Sequence, residues 1–140
     1  MNRRYLLVLA AACAALPAFA GELTLTDAWS RSTPPVAKVG VVYFTLKNGT
    51  GKSDRLLKLS TPVASRVEVH RTEVLDGIAR MREVAVLHVV ANQTVEFRPG
   101  GLHVMLMGLK EPLVGGTTYD LELLFEVAGP RKVRVAVRED

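Results

Sequence analysis

Apolar and polar residues alternate along much of this chain, and turn residues interrupt the alternation at short intervals. A period of two is typical of β-strands with one buried face, and no stretch after residue 20 has a convincing helical period. The dipeptide Asp76-Gly77 between two such runs predicts a hairpin. We expect strands over residues 23–26, 39–47, 55–60, 66–74, 78–86, 94–97, 103–109, 119–127 and 133–137.

Eight or nine short strands at this spacing indicate an all-β fold, either an antiparallel sandwich or a barrel. The stretch of about 120 residues from 21 to 140 is long enough for one domain with a substantial core, and too short for two. We expect four of its aromatic residues to lie in that core, namely Trp29, Tyr43, Phe44 and Phe125.

The first 20 residues have the layout of a cleavable secretory signal. A positive segment at residues 1–4 precedes an apolar run at 5–16, and small residues lead up to Ala20. The apolar run is shorter than the ~20 residues that a membrane-spanning helix needs, and no second run of that length follows. We therefore predict a signal peptide at 1–20 and a secreted mature chain at 21–140 with no stable membrane insertion.

Cysteine content and charge narrow the possible chemistry. The single cysteine, Cys13, lies inside the predicted signal, so the mature chain would have no disulfide, thiolate nucleophile or cysteine-based metal site. Removal of Arg3 and Arg4 lowers the formal net charge from +4 to +2, and the remaining basic residues form no run. We therefore expect no nucleic-acid partner.

Two histidines and two methionines carry the candidate chemistry. Ten residues separate His70 from Met81, twenty-one separate Met81 from His103, and Met105 follows His103 by two positions. Neutral thioether and imidazole groups are ligands that select copper(I) over calcium, magnesium or manganese. Apart from Met1, every methionine of the chain lies in or beside this pattern. Together the four side chains are candidate ligands for one copper(I) ion.

Strand alternation tests whether these side chains share a face. Val69 points to one face of its strand and His70 to the other. On the later strand, His103, Met105 and Met107 share the face opposite to the apolar residues between them. One strand therefore presents an imidazole and a thioether two positions apart, which is the spacing that a chelate needs.

Each of these residues also has an ordinary structural explanation. A lone methionine usually fills a gap in the core, and a lone histidine in a strand is usually a tolerated polar residue. The joint spacing, rather than any single residue, favours metal binding. His88 lies outside the pattern, and we expect it to have a structural or surface role.

This spacing resembles the hallmark of the PCuAC-type periplasmic copper chaperones of bacteria. The hallmark is His, ten residues, Met, twenty-one residues and His-x-Met, and the chain has it without a gap. Residues 27–31 resemble the opening strand of the family, and residues 99–109 are close to its most recognisable stretch. Arg71 stands where some members have an additional methionine, so we expect no auxiliary ligand there.

The resemblance implies a cupredoxin-like, Greek-key β-sandwich that binds Cu(I) at an exposed site through His70, Met81, His103 and Met105. It further implies a non-enzymatic carrier that delivers copper to an acceptor in the periplasm. The expected acceptors are the CuA site of cytochrome c oxidase, in subunit II, and a thiol-containing copper chaperone.

Two other classes of protein fit the sequence less well than a copper carrier does, and two more are not distinguished from it by sequence. Blue-copper electron transfer needs a cysteine ligand, which the mature chain would lack. No motif spacing joins the serines, carboxylates and histidines into a catalytic set, so we do not predict an enzyme. A metal-free periplasmic interaction module and a general copper storage or tolerance protein would have the same fold. Stoichiometric copper binding would distinguish a carrier from the metal-free interaction module.

Overall fold

The structure is a computed structural model that describes residues 21–139, so the predicted signal peptide lies outside the described residues. Ten β-strands are the secondary-structure elements of this range. They are β1 (Leu23–Arg31), β2 (Val39–Asn48), β3 (Asp54–Ser60), β4 (Ala64–Leu75), β5 (Ile78–Glu83), β6 (Leu87–Val89), β7 (Thr94–Glu96), β8 (Leu102–Leu109), β9 (Thr118–Phe125) and β10 (Gly129–Arg138). Between residues 21 and 139 there is no helix with the length and apolar character that crossing a membrane requires.

The all-β prediction is confirmed, although the strands number ten rather than eight or nine. The hairpin expected at Asp76-Gly77 joins β4 to β5, and both turn residues have positive φ, at 53° and 76°. β6 was not predicted, because three residues are too few to establish an alternation of apolar and polar positions. β1 extends beyond the predicted run because a bulge interrupts its alternation.

The ten strands form one continuous sheet in the order β5-β4-β8-β2-β1-β10-β9-β3-β6, and β7 pairs with β2. Neighbouring strands are antiparallel except β1 and β10, which run parallel, so the expected fully antiparallel arrangement holds for all but one pair. Val69 and Val104, near one end of this order, share a single apolar cluster with Leu56 and Phe125 from the other end. The sheet therefore folds back on itself as a β-sandwich.

Two of the four aromatic residues expected in the core lie on the opposite face of the sheet. Phe44 and Phe125 are buried, whereas Trp29 and Tyr43 are only half-buried and lie outside the apolar cluster. For Trp29 the cause is a β-bulge, because Asp27 has a φ of 55° and the register of β1 against β2 shifts there. A bulge inserts one extra residue, so the side chains after it exchange faces.

A buried carboxylate, Asp54, fixes the turn between β9 and β10 against β3. Its Oδ1 accepts hydrogen bonds from the N–H groups of Arg55 at 2.7 Å and Val127 at 2.9 Å, and its Oδ2 accepts one from Ala128 at 2.8 Å. Burial opposes ionisation, but the three donors and the positive charge of Arg131 together outweigh it and lower the pKa of Asp54 from its ordinary value of 3.8.

Replacing this carboxylate is expected to destabilise the fold. Asp54→Ala leaves the N–H groups of Val127 and Ala128 without their acceptor, so the free energy of unfolding should fall by about 2 to 3 kcal/mol at neutral pH. Urea denaturation measures this change. Ser53→Ala, at the exposed neighbouring position, is the control and should leave the midpoint unchanged.

The effect of Asp54→Ala should also depend on pH. A carboxyl whose pKa is lower in the folded state stabilises the fold fully above its unfolded pKa, near 3.8, and stops doing so as the pH falls through the folded value. The stability difference between the variant and the wild type should therefore shrink in strong acid. A difference that stays constant down to that range would contradict the assigned role.

Candidate metal site

The pairing of β4 with β8 brings the two candidate histidines together. His70 lies directly opposite His103, and the neighbouring pair on the same face is Glu68 opposite Met105. The imidazole centroids are 5.9 Å apart and the rings are inclined by 42°. Residues paired directly across strands point to the same face, so both imidazoles lie on the face opposite to the buried Val69.

β5 contributes Met81 at the edge of this face. Met81 pairs with Thr72 of β4, and the direct partner of His70 on β5 is Glu83, so Met81 is a diagonal neighbour of His70. Diagonal neighbours lie ~7–8 Å apart, within reach of a long side chain. The four side chains expected as ligands therefore project from one face of three adjacent strands, β5, β4 and β8.

Hydrogen bonds determine which imidazole nitrogens keep a free lone pair. His103 Nδ1 lies 3.0 Å from the carbonyl oxygen of Gly101, and His70 Nε2 lies 2.8 Å from Oε2 of Glu68. A carbonyl oxygen and a carboxylate oxygen both accept hydrogen bonds, so we assign each of these ring nitrogens as the N–H donor. The remaining nitrogens, His70 Nδ1 and His103 Nε2, are buried and have no hydrogen-bond partner within residues 21–139. Two free lone pairs on facing imidazoles suit a bound cation.

The site is more enclosed than the exposed site that the family resemblance implied. His103 is 4% exposed, and the side chain of His70 is 15% exposed. Met105 is half-buried, whereas Met81 is 60% exposed. The imidazoles therefore lie inward, and Met81 lies at the boundary with solvent because β5 is an edge strand.

Tyr43 and Trp29 extend the same face beyond β8. Val41 pairs with Met105, and Tyr43, two positions along β2, points to the same side. Trp29 pairs with Tyr43, with ring centroids 4.9 Å apart, and the guanidinium of Arg138 lies 4.7 Å from the Trp29 ring centroid. Strand alternation alone puts Tyr43 opposite to the buried Phe44, in agreement with this position.

Met107 shares the face but its sulfur has another partner. Nη2 of Arg66 lies 3.2 Å from Sδ of Met107, and the two residues are paired across β4 and β8. Nε of Arg66 also contacts Oε1 of Glu68 at 2.9 Å. A guanidinium beside this sulfur disfavours a second cation there, so Met107 is not among the candidate ligands.

The remaining histidine, His88, lies on β6 opposite Arg55 and is exposed, in agreement with its expected surface role. Within the described range, no group of three or more His, Cys, Asp or Glu side chains is arranged to hold a metal ion. The candidate site instead combines two imidazoles with methionine sulfur.

Solved structures with this architecture include copper-binding domains. The copper-bound PCuAC domain from PmoF2 superposes with a TM-score of 0.72 and 21% identity, over 86% of this chain and 96% of that domain. The solution structure of CuI-DR1885 from Deinococcus radiodurans superposes with a TM-score of 0.64 and 29% identity, over 90% of this chain and 81% of that one. The protein is therefore a cupredoxin-like β-sandwich with the fold of the PCuAC domains.

The family follows from the sequence match. The family model described as "Putative lipoprotein LpqE-like" matches residues 23–137, and the chain belongs to this LpqE-like family. The uncharacterized protein RP573 from Rickettsia prowazekii is 32% identical over 116 residues, which is 80% of this chain and 64% of RP573. A second curated relative is covered over 57% of its length. The chain thus spans less than two thirds of either relative.

The unequal exposure of the methionines predicts their order of oxidation. Dilute hydrogen peroxide should convert Met81 to its sulfoxide before the half-buried Met105 and Met107. Peptide mass spectrometry of time points measures the three rates in the metal-free protein, and Met81→Leu should remove only the fast phase. Equal rates for Met81 and Met105 would contradict the described arrangement.

Proposed function

We propose that this protein is a copper chaperone that takes up one Cu(I) ion as cargo through His70, Met81, His103 and Met105 and delivers it to an acceptor. The observation that carries the proposal is that two buried imidazole nitrogens, His70 Nδ1 and His103 Nε2, have no hydrogen-bond partner within residues 21–139. They lie on the same face as two thioethers, and this donor set suits soft, cuprous copper.

The donor set also suits release. Two imidazoles and two thioethers are all neutral, so the bound copper keeps its positive charge and no thiolate holds it in place. An acceptor with anionic sulfur ligands binds Cu(I) more strongly and draws the ion away by ligand exchange. Met81 is the ligand that an acceptor would displace first, because it is 60% exposed on an edge strand.

The comparisons support a role outside the cytoplasm in copper handling. The PmoF2 domain is described as copper-bound, and DR1885 is described with CuI. The family is described as putative lipoproteins, which supports an exported protein and the periplasmic location that we propose. The acceptors that we propose remain the CuA site of cytochrome c oxidase and a thiol-containing copper chaperone. No catalytic role is proposed.

Anaerobic titration of the purified protein with Cu(I) against a competing chelator of known affinity tests the proposal. We expect one Cu(I) per chain, and loss of this binding in the variant that combines His103→Ala with Met105→Ala. Met81→Ala or Met105→Ala alone should weaken binding by roughly a factor of 10 or more, since loss of outer partners of metal ligands already costs 10–100-fold.

Met107→Ala is the matched control, because Met107 lies on the same face but its sulfur contacts Arg66. The affinity of the Met107→Ala variant for Cu(I) should equal that of the wild type. An equal loss of affinity in all three single methionine variants would refute the ligand assignment. Absence of Cu(I) binding by folded protein with unoxidised methionines would refute the function and favour a metal-free interaction module.

A further inference from the structure

Glu68 is a charged residue on the candidate metal face that is not among the proposed ligands. It lies two positions before His70 on β4, so both side chains point the same way. Its Oε2 lies 2.8 Å from His70 Nε2, and the two side chains are only 18% and 15% exposed. A charge-assisted hydrogen bond that is largely shielded from water is stronger and more directional than one on an open surface.

This contact selects one tautomer of His70. With the proton on Nε2, the ring donates to the Glu68 carboxylate, and the lone pair is left on the buried Nδ1. With the proton on Nδ1, the Nε2 lone pair would face the carboxylate, so two acceptors would oppose each other and the hydrogen bond would be lost. The arrangement therefore keeps Nδ1 free for a cation.

His103 has the opposite assignment. Its Nδ1 donates to the carbonyl oxygen of Gly101, so its free lone pair lies on Nε2. On the basis of the copper binding proposed above, we infer that Glu68 is a positioning residue that fixes the tautomer and ring orientation of His70. His70 then binds Cu(I) through Nδ1, and His103 binds it through Nε2.

Glu68 has two alternative roles, as a ligand of the metal and as a negative charge that attracts it. A carboxylate suits Cu(I) less well than imidazole or thioether, and the two oxygens of Glu68 already contact His70 and Arg66, so we do not propose Glu68 as a ligand. It could also act only through its negative charge, by attracting the cation. Glu83 provides a test of that role, because it carries the same charge on β5 directly opposite His70, while Nε2 of His70 donates to Glu68.

The tautomers can be read in the metal-free protein. Two-bond ¹H–¹⁵N NMR spectra at mildly alkaline pH should show a pyridine-like Nδ1 in His70 and a pyridine-like Nε2 in His103. In Glu68→Ala, His70 should exchange between both tautomers, and Glu68→Gln should restore the single tautomer because its side-chain carbonyl still accepts the proton. A protonated Nδ1 of His70 in the wild type overturns the inference, whatever copper does.

Anaerobic titration of the same variants with Cu(I) alone distinguishes two effects of Glu68, namely its positioning of His70 and its negative charge. Glu68→Ala should lower the affinity about 10- to 100-fold, and Glu68→Gln should recover most of that loss. Glu83→Ala should bind as the wild type does. Equal losses in Glu68→Gln and Glu68→Ala would overturn the positioning role and assign the effect to charge.

Arg66 requires one more variant, because Glu68→Ala removes the carboxylate partner of its guanidinium near the site. Adding Arg66→Ala to Glu68→Ala should not restore affinity if the position of His70 is the cause. Recovery of affinity would overturn the inference. On Cu(I) binding, the large ¹⁵N shifts should fall on Nδ1 of His70 and Nε2 of His103, and a shift on Nε2 of His70 would overturn it as well.

These outcomes keep the inference separate from the proposed function. If the wild-type protein binds no Cu(I), the proposed function fails, and so does the inference about coordinating atoms. If Cu(I) binds but Glu68→Ala changes neither the His70 tautomer nor the affinity, the proposed function stands and only the role of Glu68 is overturned.

Discussion

The antiparallel register between β4 and β8 is the constraint on which the candidate site depends. It pairs His70 with His103 on one face and the buried Val69 with Val104 on the other. Because side chains alternate along a strand, a slip of one residue would turn His103 toward the core and Val104 toward the site. Burial of the valine pair therefore holds the two imidazoles opposite each other at a centroid distance of 5.9 Å.

The position of each strand in the sheet divides the proposed ligands into two groups. β4 and β8 are interior strands with partners on both sides, and they hold His70, His103 and Met105. β5 is an edge strand attached only to β4, and it holds the exposed Met81. Under the proposed function, the interior strands supply a preorganised half-site, and the edge supplies the ligand that is exchanged with an acceptor.

Sequence alternation predicted most strands and the face of His70, His103 and Met105, because a period of two is a local property that burial enforces. Alternation was not sufficient where contacts beyond the local sequence determine the position of a side chain. The bulge at Asp27 moved Trp29 out of the expected core, and a bulge depends on strand pairing as well as local sequence. The hydrogen bond from His70 to Glu68 needs a rotamer choice that no spacing pattern encodes.

The central claim is that imidazole nitrogen and methionine sulfur together hold one Cu(I). X-ray absorption spectroscopy at the copper edge of the loaded protein tests it most directly, since it identifies the atoms bound to the metal. The account predicts two nitrogen and two sulfur neighbours per copper in the wild type, with one sulfur lost in Met81→Ala. A coordination sphere of nitrogen and oxygen without sulfur, or one unchanged by Met81→Ala, would contradict it.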